Sequence, residues 1–580
     1  MRFLRMATNS LLAGALGAAY LTVLLLQLNP HIPLVSNSTA GWFATLWLFY
    51  GIHLAVLFYL LLVGREFFAL DRFSPGWISV RLLAWFGAVT AAAAAVLMWL
   101  NLDGLGGTLT ELAVRRMTIG AFATSIAAIV LLGIAVAHYS FGRRGSRVGA
   151  ALFVLAVFAS LALPLAARGP ADAPQTVTQV DGGGSAAAPP HGPRVVMILL
   201  DGASLDYIWP RAAEGRLPHF RRVLEEGASL SLATIRPTQP SPVWASVATG
   251  MNPSRTGVRS AATYYAAWDS RGIEVLPDHC LSHVLTRLGF VRTVPSTSAT
   301  WRSRPLWSVL ARAGMTVGLV RWPLTHPASE VPGYVVSDRY HQLGDSITEI
   351  TRAVYPPEAF LRVQALAPHR EGSPAAAAER ALDAPPGAPE LSALRRDGLY
   401  SEISRALEAE SPPRFMAIRL AGLDTIGHHY LQYTEPPRLR EVTDAERRRK
   451  TQIVERYYAY IDDEVGAALA RLSPGDLLVV VSGFGMQRLN PVKRMLDRLL
   501  GGTEFTGTHE RAPDGFLLAF GSDVAAGGHP RGAIVDVAPT LLYFLGLPVA
   551  RDMDGYARTD IFARTFTAER PIAFIPSYSR

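Results

Sequence analysis

The sequence predicts two fold classes in one chain: an all-α membrane region of five helices, then an α/β domain with a mainly parallel sheet. Most of the apolar excess among the 580 residues lies in the first third, in runs long enough to cross a bilayer. The remainder alternates short, almost continuously apolar strands with helical segments, which is typical of parallel sheets covered on both faces. A chain of this length also exceeds one hydrophobic core, so at least two domains are expected.

Five apolar runs could each span a hydrocarbon layer about 30 Å thick. Runs with so few charges are rare as buried helices of soluble proteins, and a cleaved signal peptide would account only for the first. Residues 1–166 are therefore expected to form a transmembrane domain. The five runs are Ser10–Leu28, Trp42–Val63, Val80–Leu100, Ile119–His138 and Val148–Ala166.

Arginines in the predicted loops indicate the orientation of this domain, because positively charged loops stay on the cytoplasmic side. Those that mark the inner side are Arg2, Arg5, Arg65, Arg72, Arg81, Arg143, Arg144 and Arg147. Arg115 and Arg116 do not agree with this orientation, since they lie in a loop that should be external. The majority places the N-terminus inside, and five crossings then export everything after Ala166. This predicts an integral protein of a bacterial-type inner or plasma membrane with an extracytoplasmic C-terminal domain.

Residues 167–193 are rich in Ala, Gly and Pro, which predicts a flexible tether before an exported domain at 194–580. Residues 259–304 and 337–395 break the rhythm of strands and helices, so we expect them to be insertions that cap the site. Within the second of these, the low-complexity segment Glu371–Pro389 is expected to be a surface insertion. The six predicted strands are VVMILL, SLSLATIRP, TVGLVRWP, FMAIRL, DLLVVVSG and GFLLAFG.

Residue types that bind metals accompany three of these strands, and parallel sheets collect their ligands at the carboxyl ends of strands. Asp201 ends RVVMILLDG, Asp424 and His428 follow FMAIRL, and His509 lies in GTHERAPDGFLLAFG. Carboxylates and imidazoles are common ligands of zinc and similar ions. Asp201 could instead belong to a turn, and Asp424 with His428 could form a surface pair. We favour one shared metal site, because the residues occur together at strand ends.

Six segments in this order resemble the alkaline phosphatase superfamily, and within it the type I phosphodiesterase/nucleotide pyrophosphatase branch. They are LLDGASLDYI, PTQPSPVWASVATGMNPSRTGV, LDTIGHH, VVVSGFGM, GTHERAPDGFLLAFG and AIVDVAPTLLYFLGLP. The resemblance covers nearly all of residues 194–580. It implies an alkaline-phosphatase-like fold and a phosphoric ester hydrolase or transferase that uses two zinc-like ions and a Thr or Ser nucleophile.

The resemblance also implies which residues would bind these ions. Four ligand positions carry over by motif: Asp201 for the first ion, and Asp424, His428 and His509 for the second. The family takes the other ligands of the first ion from an Asp-His pair in a segment like SDHGM. Here those positions are Gly483 and Phe484, which have no atom to donate to a metal. We therefore expect one divalent ion, zinc by analogy, and a weak or empty first site.

The nucleophile position departs from the family as well. An ungapped match through Trp244 puts Pro240 where the family has its Thr or Ser. Ser241 lies one residue later and Thr238 two residues earlier, so both are candidates. Ser241 followed by Pro242 is typical of a helix N-cap, which would hold a hydroxyl at the positive end of a helix, where phosphate binds. Capping alone and nucleophilic attack both stay open for Ser241.

The composition excludes several kinds of site and partner. The single cysteine, Cys280, excludes an internal disulfide and a CxxC site. No basic stripe interleaved with aromatic residues and no zinc-finger pattern occurs, so no nucleic-acid partner is expected. The net charge of +8 follows mostly from arginines, some of which set the membrane orientation. The bilayer is the expected partner, and the sequence indicates no particular oligomeric state.

The sequence thus favours a membrane-anchored, metal-dependent phosphodiesterase or phospho-group transferase that acts on a cell-envelope phosphoester, with Ser241 attacking. Its architecture is similar to that of lipoteichoic acid synthases and phosphoethanolamine transferases, which motivates a lipid-linked substrate but does not establish it. One alternative is a catalytically inactive binding or scaffolding module. Another is a transport or assembly unit, against which the lack of Asp, Glu and Lys inside the apolar runs argues.

Overall fold

The computed structural model describes residues 1–68, 76–140, 147–169, 192–267, 269, 271–277, 282–342, 347–366, 372–434, 443–491, 493–495 and 505–578. The chain divides into two compact units. The first comprises Met1–Pro174 and Ala262–Pro295, and the second comprises Gln175–Ala261 and Ser296–Arg580. Cys280 and almost all of the predicted tether lie outside the described residues.

The helices of the described residues follow in chain order. They are α1 (Arg2–Leu28), α2 (Asn37–Leu46), α3 (Ile52–Phe68), α4 (Val80–Leu105), α5 (Glu111–Ser140), α6 (Arg147–Ala166), α7 (Leu205–Ala213), α8 (Pro218–Glu226), α9 (Pro240–Thr249), α10 (Pro253–Thr256), α11 (Ser282–Arg287), α12 (Leu306–Arg312), α13 (Ile347–Thr351), α14 (Ala359–Ala365), α15 (Pro374–Leu382), α16 (Pro389–Glu410), α17 (Gly422–Tyr430), α18 (Asp444–Leu469), α19 (Val537–Phe544) and α20 (Arg564–Glu569). A π-helical turn, Trp47–Gly51, joins α2 to α3.

The described strands are β1 (Val195–Leu200), β2 (Ala228–Ala233), β3 (Ala262–Ala266), β4 (Val291–Pro295), β5 (Val317–Val320), β6 (Gly333–Val336), β7 (Val354–Tyr355), β8 (Phe415–Leu420), β9 (Leu477–Ser482), β10 (Gln487–Arg488), β11 (Gly507–Thr508), β12 (Gly515–Phe520), β13 (Gly527–Gly528), β14 (Gly532–Ala533), β15 (Val549–Ala550) and β16 (Phe574–Ile575). Five of the six predicted strands contain one of these, and the sixth, SLSLATIRP, overlaps β2, which begins one residue earlier at Ala228.

The first unit contains the apolar helices. Five stretches of the described chain are long and apolar enough to cross a membrane: Arg2–Leu28, Asn37–Phe68, Val80–Thr108, Glu111–Ala137 and Arg147–Ala166. They contain the predicted runs almost entirely, and several extend further because polar residues at the ends continue the helices. Their length and composition indicate an integral membrane protein.

A hairpin from the C-terminal part of the chain also belongs to this first unit. Strands β3 and β4 pair antiparallel, and the segment between them contacts the C-terminal end of α1. The Asn29 side chain accepts the backbone N–H groups of Glu274 and Val275 at 3.0 Å each and donates to the Val275 carbonyl at 2.7 Å. Ile273 also packs in an apolar cluster with Trp42 of α2. Much of the predicted insertion 259–304 is therefore attached to the ends of membrane helices.

The second unit is built on one mixed sheet. Its strand order is β13-β2-β12-β9-β1-β8-β5-β6-β7, and β14 also pairs with β2. Among these described strands, β12 and β7 run against the others, so the prediction of a mainly parallel α/β sheet is confirmed. Strand β1 pairs with both β8 and β9, with Val195 opposite Phe415 and Leu477. The carboxyl ends of these three strands consequently lie side by side.

Alternate residues of β1 enter two separate hydrophobic cores. Val195, Met197 and Leu199 join the core under α9, α12, α19 and α20. Val196, Ile198 and Leu200 join the core under α7, α8, α14, α15, α16 and α18. Both faces of the strand are buried, which explains why its sequence is continuously apolar rather than alternating.

The segment GFLLAFG forms β12, which is antiparallel to its neighbours β2 and β9. It is continuously apolar because Leu517 and Ala519 enter one core while Phe516 and Leu518 enter the other. One expectation is wrong. The segment Glu371–Pro389 is not a surface insertion, because it contains α15, whose Ala375, Ala378 and Leu382 are buried in the core. Ser373 caps this helix by accepting the Ala376 N–H at 3.2 Å.

Candidate metal centre

Three predicted ligands come together at the carboxyl edge of the sheet. Asp424 and His428 lie one turn apart on α17, which begins two residues after β8, and His509 directly follows β11. Asp424 Oδ1 lies 3.7 Å from the Nε2 atom of each histidine, and all three ligand atoms are within 4.8 Å of one another. Ligands that are each about 2.1 Å from a tetrahedral zinc ion are separated by about 3.5 Å. The geometry therefore suits a single ion.

Backbone carbonyls orient both imidazoles. His428 Nδ1 donates to the Gly507 carbonyl at 2.8 Å, and His509 Nδ1 donates to the Thr238 carbonyl at 2.7 Å. Because a carbonyl can only accept, the proton of each neutral ring must be on Nδ1, and Nε2 faces Asp424 with its lone pair. Hydrogen bonds of this kind support metal-bound imidazoles in proteins.

The carboxylate of Asp424 has an unsatisfied oxygen. Oδ1 is buried and forms no hydrogen bond within the part of the chain that the structure describes. Burial raises the pKa of this carboxyl, while His509 and His428 oppose the rise. An unpartnered buried carboxylate oxygen is costly, and a cation between it and the two Nε2 atoms would remove that cost. One oxygen and two nitrogen ligands fit a zinc-like ion and leave a fourth position for substrate or water.

Asp201 does not join this group of ligand atoms. Its Oδ1 accepts the Trp244 indole N–H at 2.6 Å, and its Oδ2 accepts Nε of Arg419 at 3.0 Å and Nη2 of the same guanidinium. Asp201 is almost fully buried, and both of its oxygens have protein partners. Metal ligation by Asp201, predicted from the motif order, would require this ion pair to open.

The two degenerate positions after β9 are tightly packed. Phe484 is fully buried, and its ring centroid lies 5.0 Å from that of His509. A Cβ atom added at Gly483 would approach Val243 Cγ1 to 2.4 Å. Packing therefore occupies the region from which the family's other first-ion ligands would come, and Phe484 supports the ring of His509.

The two candidate nucleophiles differ in their surroundings. Helix α9 begins at Pro240 with Gln239 as its N-cap, so Ser241 is the second helical residue and the N-cap prediction is wrong. Proline starts a helix readily because its φ is already helical and it needs no N–H partner there. The Ser241 hydroxyl is half-buried and forms no hydrogen bond with the described residues. The Thr238 hydroxyl is buried and donates to the Ile235 carbonyl at 2.9 Å.

A fully buried carboxylate that sequence reasoning missed holds the helix that carries two of the ligands. Asp397 accepts the N–H groups of Ala421 and Gly422 at 3.2 and 2.9 Å, and the Tyr457 hydroxyl at 2.9 Å. It also forms a buried ion pair with Arg321. These bonds fix the first turn of α17. No sequence signal could have identified Asp397, which stands within a long helix far from the motifs.

Most of the second unit matches a known protein family. Residues 195–520, more than half of the chain, match the model of the family "Type I phosphodiesterase / nucleotide pyrophosphatase". Murine ectonucleotide pyrophosphatase/phosphodiesterase 5 is a similar solved structure, with 13% identity and a TM-score of 0.37, covering 64% of this chain and 100% of that chain. Its inactive variant in complex with AMP has 12% sequence identity and a TM-score of 0.38, with the same coverage of both chains. The human protein has 12% sequence identity and a TM-score of 0.37, and the match covers 64% of this chain and 99% of that one. No curated protein matches the chain.

Replacing Asp397 should weaken both the fold and the metal centre. Asp397→Ala leaves the Arg321 charge buried without its partner, which costs about 3–5 kcal/mol. The variant should show a lower Tm in detergent and bind less metal. Glu410→Ala on the same helix is the control, because its partner Arg362 is exposed and such pairs contribute about 0–1 kcal/mol. Equal Tm values for both variants would contradict this role of Asp397.

Acidification should release the bound ion. Ligation needs an ionised carboxylate and neutral imidazoles, so protons compete with the metal. Since burial raises the pKa of Asp424, its protonation begins at a higher pH than that of an ordinary aspartate. Metal affinity measured by calorimetry over a pH series should fall as the pH falls, and a constant affinity would argue against ligation by Asp424.

Proposed function

The chain belongs to the type I phosphodiesterase/nucleotide pyrophosphatase family, and we propose that it is a membrane-anchored, metal-dependent phosphodiesterase or phospho-group transferase. The family match confirms the resemblance inferred from the six segments. The observation that carries the proposal is the Asp424–His428–His509 group, in which both imidazoles face the same unsatisfied carboxylate oxygen.

Asp424, His428 and His509 would hold one divalent ion, zinc by analogy with the family. When bound, such an ion polarises a phosphoryl oxygen and acidifies a coordinated hydroxyl or water. The residues of the chain supply the orientation: the carbonyls of Gly507 and Thr238 prevent both rings from turning away. The buried surroundings of Asp424 strengthen its attraction for a cation.

Ser241 would be the nucleophile. Its Oγ would form a bond to phosphorus while the bond from phosphorus to the leaving oxygen breaks; the hydroxyl proton passes to solvent, and the leaving oxygen takes a proton from solvent. The resulting phosphoserine ester is then cleaved by water or an acceptor alcohol. Its hydroxyl has no other partner among the described residues, and it lies three residues after Thr238, whose carbonyl contacts His509. In the first turn of α9, Pro240 and Pro242 have no N–H group, and the Val243 N–H is bonded to the Gln239 carbonyl. The Ser241 N–H would therefore be the one donor of this turn for a phosphoryl oxygen held at the hydroxyl.

The substrate would be an envelope phosphoester, and a lipid-linked one follows from the membrane helices. The C-terminal end of α1 contacts the hairpin segment through Asn29, so both lie on the same side of the membrane. Together with the arginine-rich loops at the opposite helix ends, this supports an extracytoplasmic position for the residues after Ala166. A site on that side would meet lipid headgroups rather than cytoplasmic nucleotides.

An inactive binding module is the second candidate, and one observation favours it. Asp201 is engaged by Arg419 and Trp244, and Gly483 and Phe484 cannot bind metal, so the first ion of the family has no complete site. Such a module would keep the fold and a single structural ion without turnover.

Metal analysis and a diester assay separate these two functions. The full chain in detergent should contain one ion per molecule and hydrolyse bis-p-nitrophenyl phosphate. Asp424→Ala should lose both the ion and the activity, whereas Ser241→Ala should keep the ion and lose the activity. Ser246→Ala is the control on the same helix, because this buried hydroxyl has no partner within the described chain. Bound metal without turnover on any phosphodiester would establish the inactive module.

The substrate class requires a comparison of lipid and soluble phosphodiesters. The full chain in lipid nanodiscs should release phosphorylated headgroups from membrane extracts faster than it cleaves a soluble diester at the same concentration. Efficient cleavage of the soluble diester without any product from the extracts would refute a lipid-linked substrate and leave the phosphodiesterase proposal intact.

A further inference from the structure

We propose that the Arg419 guanidinium takes the place of the family's first metal ion and forms a phosphoryl-oxygen site beside the single-ion centre. This inference rests on the proposed function, because it names a group that would contact the same substrate. It follows from a disagreement between the chain and its family: the side chains at the first-ion position do not fit a metal, yet a cation is present there.

The position of Arg419 is set by the sheet. Arg419 lies on β8 opposite Leu199 of β1, two residues before Asp201. Its Nε and Nη2 both donate to Oδ2 of Asp201, which fixes the plane of the guanidinium. Nη1 forms no hydrogen bond with the described residues, and the side chain is 14% exposed. One face of a rigid donor group therefore remains available to a ligand.

The charges around Arg419 resemble those around a metal ion. Burial lowers the pKa of Arg419, but the carboxylates of Asp201, Asp338 and Asp424 outweigh burial and raise it. Asp424 also belongs to the candidate metal centre, and the chain just after Asp201 lies beside it, since a Cβ atom added at Gly202 would be 3.1 Å from Asp424 Cα. A phosphoryl group held by an ion at Asp424 would thus have a second cation close by.

The same arrangement excludes a metal at the first position. Asp201 is the remaining carboxylate there, and the Trp244 N–H and the guanidinium already occupy its two oxygens. An ion at Asp201 would face the positive charge of Arg419 in a buried environment, where like charges repel strongly. Gly483 and Phe484 add packing instead of ligands.

Arginine is chemically suited to the substitution. The guanidinium is planar, always charged and able to donate two parallel hydrogen bonds to phosphate oxygens. Its carboxylate partner keeps it in one orientation, so it would need little reorganisation when charge develops on the phosphoryl oxygens. The guanidinium carries one positive charge, whereas the divalent ion that it would replace carries two, and it cannot activate a hydroxyl as an ion does. The guanidinium would therefore bind and stabilise the phosphoryl group without acidifying the nucleophile.

The test combines metal content, anion binding and chemical rescue of the full chain in detergent. Wild type should contain one ion and bind orthovanadate in calorimetry. Arg419→Ala should keep that ion, bind orthovanadate at least tenfold more weakly, and lose about 100- to 1000-fold in kcat, as expected for removing one transition-state donor. Guanidinium ion added to Arg419→Ala should restore activity with saturation.

Arg405→Ala provides the matched control, since Arg405 also pairs with a buried carboxylate, Glu464, away from the metal centre. Guanidinium should not increase its activity. If Arg419→Ala does not fold, Arg419→Lys keeps the charge without the planar group and should retain the ion while losing orthovanadate affinity.

Three results would overturn the inference: two ions in wild type, unchanged orthovanadate affinity in a folded Arg419 variant, or equal guanidinium effects on the Arg419 and Arg405 variants. An active wild type with any of these results leaves the proposed phosphodiesterase standing. A wild type without turnover refutes the proposed activity, and the calorimetric comparison still decides whether Arg419 binds the anion.

Discussion

The pairing of β1 with both β8 and β9 is the constraint on which the site depends. It aligns Leu200 with Leu420 on one side and with Ser482 on the other, so three chain segments leave the sheet at the same edge. Asp201, α17 and the loop with Phe484 follow directly from these ends. Because each strand is packed on both faces, a shift in register would place side chains of the wrong size in both cores, and the resulting cavities and clashes disfavour it.

Three carboxylates near this edge differ in their hydrogen bonding. Asp397 receives four donors and holds the start of α17, and Asp201 receives the indole and the guanidinium. Asp424 Oδ1 is buried and lacks a hydrogen-bond donor among the described residues, although the Nε2 atoms of two imidazoles lie 3.7 Å from it. This contrast supports the proposed cation site, since a buried carboxylate oxygen without a partner is costly.

Much of the fold was predictable because buried or membrane-spanning elements have recognisably apolar sequences. The continuous apolar runs of β1, β8 and β9 and the long runs of α1 to α6 were recognised with small errors at their ends. Predictions were wrong where two structures share one pattern. An alanine-rich segment can be a surface loop or a closely packed helix, as α15 shows. Ser241 was misplaced relative to the helix start because Pro240 and Pro242 can both occupy the first turn.

By itself, the sequence determined the apolar helices, the α/β class, the family and the candidate metal ligands, because these depend on residue type and local order. Only the tertiary structure decided which of those residues face one another. It placed Asp424, His428 and His509 together, paired Asp201 with Arg419, and supported α17 through Asp397, a residue distant from it in the chain. Such pairings depend on contacts between remote segments, and a strand residue such as Arg419 shows its partner only when the neighbouring strand is in register.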